Sequence, residues 1–277
     1  QPTLSMQVKK AEDQLGYTVF DRASSPLSLT PYGAELIPIL REILSENENL
    51  RLLNDRMAGK IKEEIRVGII PTVSVYMLTR LFSLFSSALP NVRFLYVEHP
   101  TETLLLELEK GTIDFGILAG PYQQAKYRTV PLYTEEIQVY TALGKEGGIE
   151  VSALDGQQPW LLSKGNCLRT QVINFCNISE TAEAPSWDYI GGNMDLLVEM
   201  VNINGGYTLL PSEFKSTKEQ PGFRKRLASP YGYPAREIIG VFAQRSYKTP
   251  HMERMVKEIQ LAYPQARNAP LHILDWK

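Results

Sequence analysis

Cys167 and Cys176 are the only two cysteines in the chain, and a lone pair of thiols nine residues apart can support reversible oxidation. They bracket Cys167-Leu168-Arg169-Thr170-Gln171-Val172-Ile173-Asn174-Phe175-Cys176, directly after Lys164-Gly165-Asn166. If that segment is one helix, its rise holds the two Cα atoms about 13 Å apart, whereas a disulfide needs them within about 7 Å. Joining them demands local unfolding. A pair that bonds only by remodelling its surroundings has the property a redox switch requires, because oxidation then carries a conformational signal.

Each thiol also has a plainer reading as a small buried apolar residue. Cys176, beside Phe175, suits it. Cys167 suits it less, because Gly165-Asn166 reads as a turn with an N-cap, which places the sulfur in a first helical turn. There the backbone NH groups and helix dipole favour thiolate, and Arg169 is close enough in sequence to add positive charge. The spacing is not that of a paired-cysteine zinc site, and His99, His251 and His272 are scattered, so no metal or cofactor is expected.

The elements that position these residues fall into three stretches. Residues 1–30 read as a helix around Thr3 to Leu15, a stop at Gly16, a strand at Tyr17 to Phe20 and a turn at Ala23 to Pro26, the shape of a winged helix-turn-helix tail. Residues 31–59 read as a long helix with Thr30 as N-cap and Pro31 at its first position. Pro38 is expected to kink or interrupt it early. Its Leu36, Leu40, Ile43, Asn47, Leu50, Asn54 and Met57 alternate in steps of four and three, a coiled-coil seam in which the two Asn suit a register-setting dimer contact better than a core. Packing of that stripe on its own domain is the plainer alternative.

From residue 63 the pattern becomes alternating strands and helices. Strands are expected at Ile65 to Ile70, Val92 to Val97 and Asp114 to Leu118, with helices between them, hence a parallel βαβαβ sheet. A second such unit is expected from strands near Ile137 to Ala142, Trp160 to Leu162, Ser186 to Ile190 and Tyr207 to Pro211, with a helix over Met194 to Val201. The strand Glu237 to Gln244 and helix His251 to Ala262 then return to the first unit. The fold class is α/β: a partial winged helix-turn-helix and linker helix, then two Rossmann-like lobes of the periplasmic-binding-protein type. The expected boundaries are lobe I at 63–134 and 237–277 and lobe II at 135–236, with a ligand cleft between them outside the carboxyl ends of the strands.

A 43% hydrophobic composition over 277 residues supplies ample core for more than one folding unit. The net charge of -2 points to neither nucleic acid nor membrane. Over residues 1–30, Lys9, Lys10 and Arg22 are balanced by Glu12, Asp13 and Asp21, so charge gives DNA binding no separate support. No apolar run approaches a membrane-spanning length, two cysteines make no secreted framework, and a cytoplasmic location is expected. The chain begins at Gln1 inside a motif, so a preceding segment is expected.

These residues resemble the LysR-type transcriptional regulators. Gln1-Pro2-Thr3-Leu4-Ser5-Met6-Gln7-Val8-Lys9-Lys10-Ala11-Glu12 is similar to the family's recognition helix, and Leu15-Gly16, Val19-Phe20-Asp21-Arg22 and Leu29-Thr30-Pro31-Tyr32-Gly33 to its continuation. Gly111-Thr112-Ile113-Asp114 and Gly205-Gly206-Tyr207-Thr208-Leu209-Leu210-Pro211 resemble its sensing part. Gly165, Cys167-Leu168-Arg169, Gln171, Phe175-Cys176 and Gly68-Ile69-Ile70-Pro71-Thr72-Val73 are similar to the peroxide-sensing branch.

The resemblance implies a non-enzymatic transcriptional activator for which hydrogen peroxide is the signal. Cys167 would be the peroxide-reacting thiol and Cys176 the resolving one, with Thr72, Thr101, Gly165, Asn166 and Arg169 around the peroxide. Gln1, Pro2, Thr3, Ser5, Gln7, Lys9 and Lys10 would contact promoter DNA, with RNA polymerase as a further partner. Assembly would be a homo-oligomer, a dimer through the linker helix extending to a tetramer. Asn166 stands where that branch carries histidine, which removes an imidazole from proton handling. Thr72 also reads as the N-cap of a helix beginning near Val73, and Arg236 as an exposed, solvated arginine rather than a source of charge for the thiolate. Three other readings remain open: a LysR-type regulator binding a small metabolite in the cleft, a thiol peroxidase using the same cysteines, and a solute-binding protein.

Overall fold

The computed structural model describes residues 2–24, 26–57, 63–144, 147–178, 191–244, 246, 248–263 and 270–274. The chain divides into two compact units, Gln1–Ile61 and Lys62–Lys277.

The first unit is α1 (Pro2–Leu15), a two-stranded antiparallel ladder of β1 (Phe20–Asp21) and β2 (Ser28–Leu29), and α2 (Pro31–Met57). The ladder is shorter and later than the expected Tyr17 to Phe20 strand. Buried Glu12 organises the turn before it: its carboxylate accepts from the Val19 and Phe20 amides at 2.7 and 3.1 Å and pairs with Arg22 at 2.9 Å. These backbone bonds, then Arg22, hold its carboxyl below the usual range. Thr30 caps α2 by accepting from the Gly33 amide at 2.9 Å. Gly33 is obligatory, since a Cβ there would lie 2.1 Å from the Val19 carbonyl oxygen.

The helix runs unbroken through Pro38 to Met57, so the expected interruption does not occur. A proline this near the start removes a single hydrogen bond, which the rest of the helix outlasts. Along the seam, Leu40, Ile43 and Leu50 are exposed, as are Asn47 and Asn54, and Leu36 is half-buried. The Met57 side chain lies outside the described residues. The stripe is therefore not absorbed by a core of its own unit.

The second unit begins β3 (Glu63–Ile69), α3 (Pro71–Ala88), β4 (Val92–Glu98), α4 (Thr101–Lys110) and β5 (Phe115–Ala119), with β4, β3 and β5 side by side and parallel. Then comes β6 (Tyr127–Thr141), a single 15-residue strand, followed by β7 (Gly148–Glu150), α5 (Cys167–Phe175), α6 (Met194–Asn204), β8 (Tyr207–Pro211), β9 (Arg224–Ala228), β10 (Tyr233–Ala243), α7 (Thr249–Ala262) and β11 (Leu271–Ile273). The sheet order is β4-β3-β5-β10-β6-β9-β7, with β8 on β6 and β11 on β10.

Two long antiparallel neighbours, β6 and β10, carry the chain between two hydrophobic cores. The first core gathers Ile65, Val67, Phe85, Leu104, Phe115 and Ile259. The second gathers Ile137, Leu168, Val172, Val198, Leu209 and Leu227, and also Leu274, so the last described residues pack on the second lobe. Among the described residues of the second lobe, β8 and β9 run antiparallel to β6, while β7 and β9 are parallel. Trp160 to Leu162 forms no strand, although the preceding Pro159 makes an isolated bridge to Tyr207. The strand expected at Ser186 to Ile190 lies outside the described residues.

Candidate functional site

Helix α5 opens at Cys167, with Asn166 in extended conformation as its N-cap. Gly165 supplies the turn before it at φ +88°, a region that L side chains rarely adopt. Asn166 does not cap through its side chain. It is turned back, donating from Nδ2 to the Ser163 carbonyl and hydroxyl at 3.1 and 3.0 Å. The helix continues to Phe175 with Cys176 as its C-cap, and both thiols are free. A rise of about 1.5 Å per residue then keeps the two sulfur-bearing residues well beyond disulfide range.

The helix straddles the two cores. Its Leu168 and Val172 belong to the second, while the Cys167 side chain belongs to the first. Cys167 is only 6% exposed and Cys176 is half-buried, the reverse of what their sequence neighbours suggest. Burial pushes the Cys167 thiol above its ordinary value; the Arg236 charge, the Thr101 hydroxyl and the Leu168 and Cys167 amides pull the other way. The thiolate bias expected from the helix start is thus present but outweighed by desolvation in this closed arrangement.

Arg236 on β10 is 0% exposed, so the sequence reading of it as a solvated arginine is overturned. Strand pairing sets it directly opposite Glu135 of β6, a partner 101 positions away that no local pattern reveals. Its Nε donates to Glu135 Oε1 at 2.8 Å. Nη1 and Nη2 donate to the Thr72 hydroxyl and carbonyl at 3.0 and 3.1 Å. Burial opposes the Arg236 charge, but Glu135, Tyr76 and Cys167 outweigh it and the net direction is up. Removing one partner from such a pair costs about 3–5 kcal/mol, because the other is stranded in the interior.

Thr72 is therefore not an N-cap: α3 starts at Pro71 with Ile70 as its cap residue, and the Thr72 hydroxyl serves Arg236. Thr101, the first residue of α4, is buried too, and its Oγ1 has no hydrogen-bond partner among the described residues. It lies close enough to Cys167 to act on the thiol. The Thr101 hydroxyl thus sits beside the sulfur and serves no other group among the described residues. Arg169, expected to supply charge there, instead donates to the Leu162 carbonyl at 2.9 Å; the cation acting on Cys167 is Arg236.

At the other end of α5, burial pushes the Cys176 thiol up to about 12, with the Tyr207 hydroxyl donating toward the sulfur and opposing this, and Asp155 reinforcing it. Tyr207 opens β8 directly after Gly206, whose φ of +79° and a hypothetical Cβ 2.3 Å from the Gln158 carbonyl oxygen leave room for glycine alone. Sequence reasoning missed Glu135 and Tyr76, which meet at the Arg236 ion pair, and Tyr207, which acts on Cys176. In the first unit Ser5, Gln7, Lys9 and Lys10 are exposed on α1, the Pro2 and Thr3 side chains are outside the described residues, and so is Gln1. Among the described residues no group of three His, Cys, Asp or Glu could hold a metal ion, and no helix is long and apolar enough to cross a membrane.

A helix with a two-stranded wing, a long helix and two lobes sharing crossing strands are the parts of a LysR-type regulator. The LysR substrate binding domain matches residues 58–263, and the bacterial regulatory helix-turn-helix protein of the lysR family matches residues 1–34. The chain belongs to this family. Within it, the chain is similar to the hydrogen peroxide-inducible genes activator of Dickeya chrysanthemi, with 30% identity over 216 residues covering 76% of this chain and 70% of that protein. A probable hydrogen peroxide-inducible genes activator of Streptomyces viridosporus is 28% identical over 281 residues, covering 99% of this chain and 88% of that one. Among solved structures, a full-length OxyR variant from Pseudomonas aeruginosa superposes with a TM-score of 0.70 at 25% identity, covering 94% of this chain and 88% of the other.

Proposed function

We propose that this regulator senses hydrogen peroxide through Cys167 and transmits the signal by a Cys167–Cys176 disulfide. The observation that carries the reading is the conjunction at the head of α5: a free thiol, a buried guanidinium acting on it, and the Thr101 hydroxyl alongside, which has no other hydrogen-bond partner among the described residues. The peroxide names of the relatives support it.

Peroxide would sit between the sulfur and the hydroxyls of Thr101 and Thr72, with Gly165, Asn166 and Arg169 framing the helix start. The Cys167 thiolate attacks one peroxide oxygen, the O–O bond breaks, and the second oxygen leaves as hydroxide, protonated to water. Cys167 is now a sulfenic acid. The Cys176 thiolate attacks its sulfur and expels the remaining oxygen as hydroxide, so two thiols supply two electrons and two waters form. The second step requires α5 to unwind. Unwinding repacks the lobes and resets how α1, through Ser5, Gln7, Lys9, Lys10 and the preceding Gln1 to Thr3, meets promoter DNA and how RNA polymerase is recruited. The test is mass spectrometry after dilute peroxide. Cys167→Ser is expected to abolish oxidation, and Cys176→Ser to stall at sulfenic acid or a mixed disulfide; equal loss of the first step in both would reverse the roles.

A further inference from the structure

We propose that Glu135 is a positioning residue for Cys167, which fixes the Arg236 guanidinium beside the thiol and at the same time offsets part of its charge. The inference rests on the sensor reading only for its biological consequence, because the geometry concerns the thiol itself.

Glu135 is buried on β6 and lies in register opposite Arg236 on β10. Its Oε1 accepts from Arg236 Nε and from the Tyr76 hydroxyl, both at 2.8 Å. The Tyr76 and Tyr133 hydroxyls are themselves 2.7 Å apart. Oε2 has no partner among the described residues. The guanidinium is thus held from both sides, by Glu135 at Nε and by Thr72 at the two terminal nitrogens. Nothing in the peroxide chemistry calls for a buried carboxylate here, and a carboxylate alone in the interior would shed its charge. Burial pushes the Glu135 carboxyl above the usual carboxylate range, and the Arg236 guanidinium, then the Tyr76 hydroxyl, pull it back toward the charged form.

The groups acting on the sulfur are Arg236 from β10, Thr101 from α4 and the Cys167 and Leu168 amides of α5. Those acting on Glu135 are Arg236, Tyr76 of α3 and, more weakly, Glu213 beyond β8, and Glu135 in turn acts on Tyr133. The carboxylate therefore does two opposed things. It holds a cation where the thiolate can feel it, and it weakens the field of that cation.

Two substitutions separate these roles. Glu135→Gln keeps an acceptor oxygen for Arg236 Nε and Tyr76 but deletes the negative charge. Glu135→Asp keeps the charge but draws it back by one methylene, loosening the guanidinium. In a Cys176→Ser background, the pH dependence of iodoacetamide alkylation reports the Cys167 thiol alone, with circular dichroism checking the fold. The Gln variant is expected to titrate about one pH unit lower than the parent, with about tenfold faster alkylation below that pKa. The Asp variant is expected to titrate higher and react more slowly. Opposite signs are what a merely structural carboxylate would not produce. A Gln variant that folds and titrates with or above the parent overturns the proposal, even if the Asp variant fails to fold. No peroxide enters the measurement, so a parent inert to peroxide would sink the sensor reading and leave this test standing.

Discussion

At the residue scale the site depends on groups that act on a sulfur already taken out of water. Thr72 and Thr101 illustrate how differently two hydroxyls can be deployed: the first accepts from Arg236, the second acts on the Cys167 thiol. Thr101→Val preserves volume and deletes that second hydroxyl. Stopped-flow oxidation by peroxide is expected to slow by about tenfold to a hundredfold, the loss of one hydrogen bond at the reacting oxygens. A rate equal to the parent's, with the fold intact, would remove Thr101 from the site. Tyr207 governs the second thiol. Because its hydroxyl counters the burial that pushes Cys176 up to about 12, Tyr207→Phe is expected to raise that thiol further. Sulfenic acid on Cys167 should then accumulate before the disulfide forms, which a dimedone trapping time course reads; disulfide formation at the parent's rate would show that Tyr207 only packs. The two cysteines and the N-terminal place of Cys167 on its helix were legible in sequence. Arg236 and Glu135 were not, since a buried ion pair across two strands leaves no local pattern and each residue alone reads as solvated.

At the element scale, helices were legible because apolar residues recur with their period: α6 and α7 lie within a few residues of expectation, and α3 and α4 fall between the expected strands. The crossing strand β6 was legible only in its second half, because Glu135 and Glu136 interrupt its alternation; those carboxylates meet Arg236 and Arg226, partners that only the assembled sheet provides. Helix α2 presents the opposite case, a pattern that the chain itself does not consume. Ile43 is 58% exposed and Leu50 57%, more apolar surface than an isolated helix leaves in water without a partner. A second copy of α2 would cover it, with Asn47 and Asn54 setting the register. Replacing Ile43 and Leu50 together by Lys places charge in that seam, and sedimentation is expected to show a smaller species. An unchanged oligomer would assign assembly to other contacts.

At the scale of the whole regulatory unit, the question is how an event at one sulfur reaches the fold. Helix α5 has its head in one core and its body in the other, and β11 ties it to β10: Gln171 Nε2 donates to the Leu274 carbonyl at 3.2 Å, Phe175 packs against His272 with ring centroids 5.9 Å apart, and the Leu274 amide donates to the Ala235 carbonyl at 2.8 Å. Ala235 adjoins Arg236. Unwinding α5 to bring Cys176 to Cys167 would remove both side-chain ties, to His272 of β11 and to Leu274 just after it, while the β6–β10 ladder beneath has no reason to open. Hydrogen–deuterium exchange before and after peroxide is therefore expected to show faster exchange in α5 and over Leu271 to Leu274, with β5, β6 and β10 keeping their protection. The Cys176→Ser variant, which cannot close the disulfide, should show neither change. If oxidised parent protein exchanges as the reduced one does over α5, the two thiols bond without remodelling the helix, and the conformational link between oxidation and DNA would have to lie elsewhere.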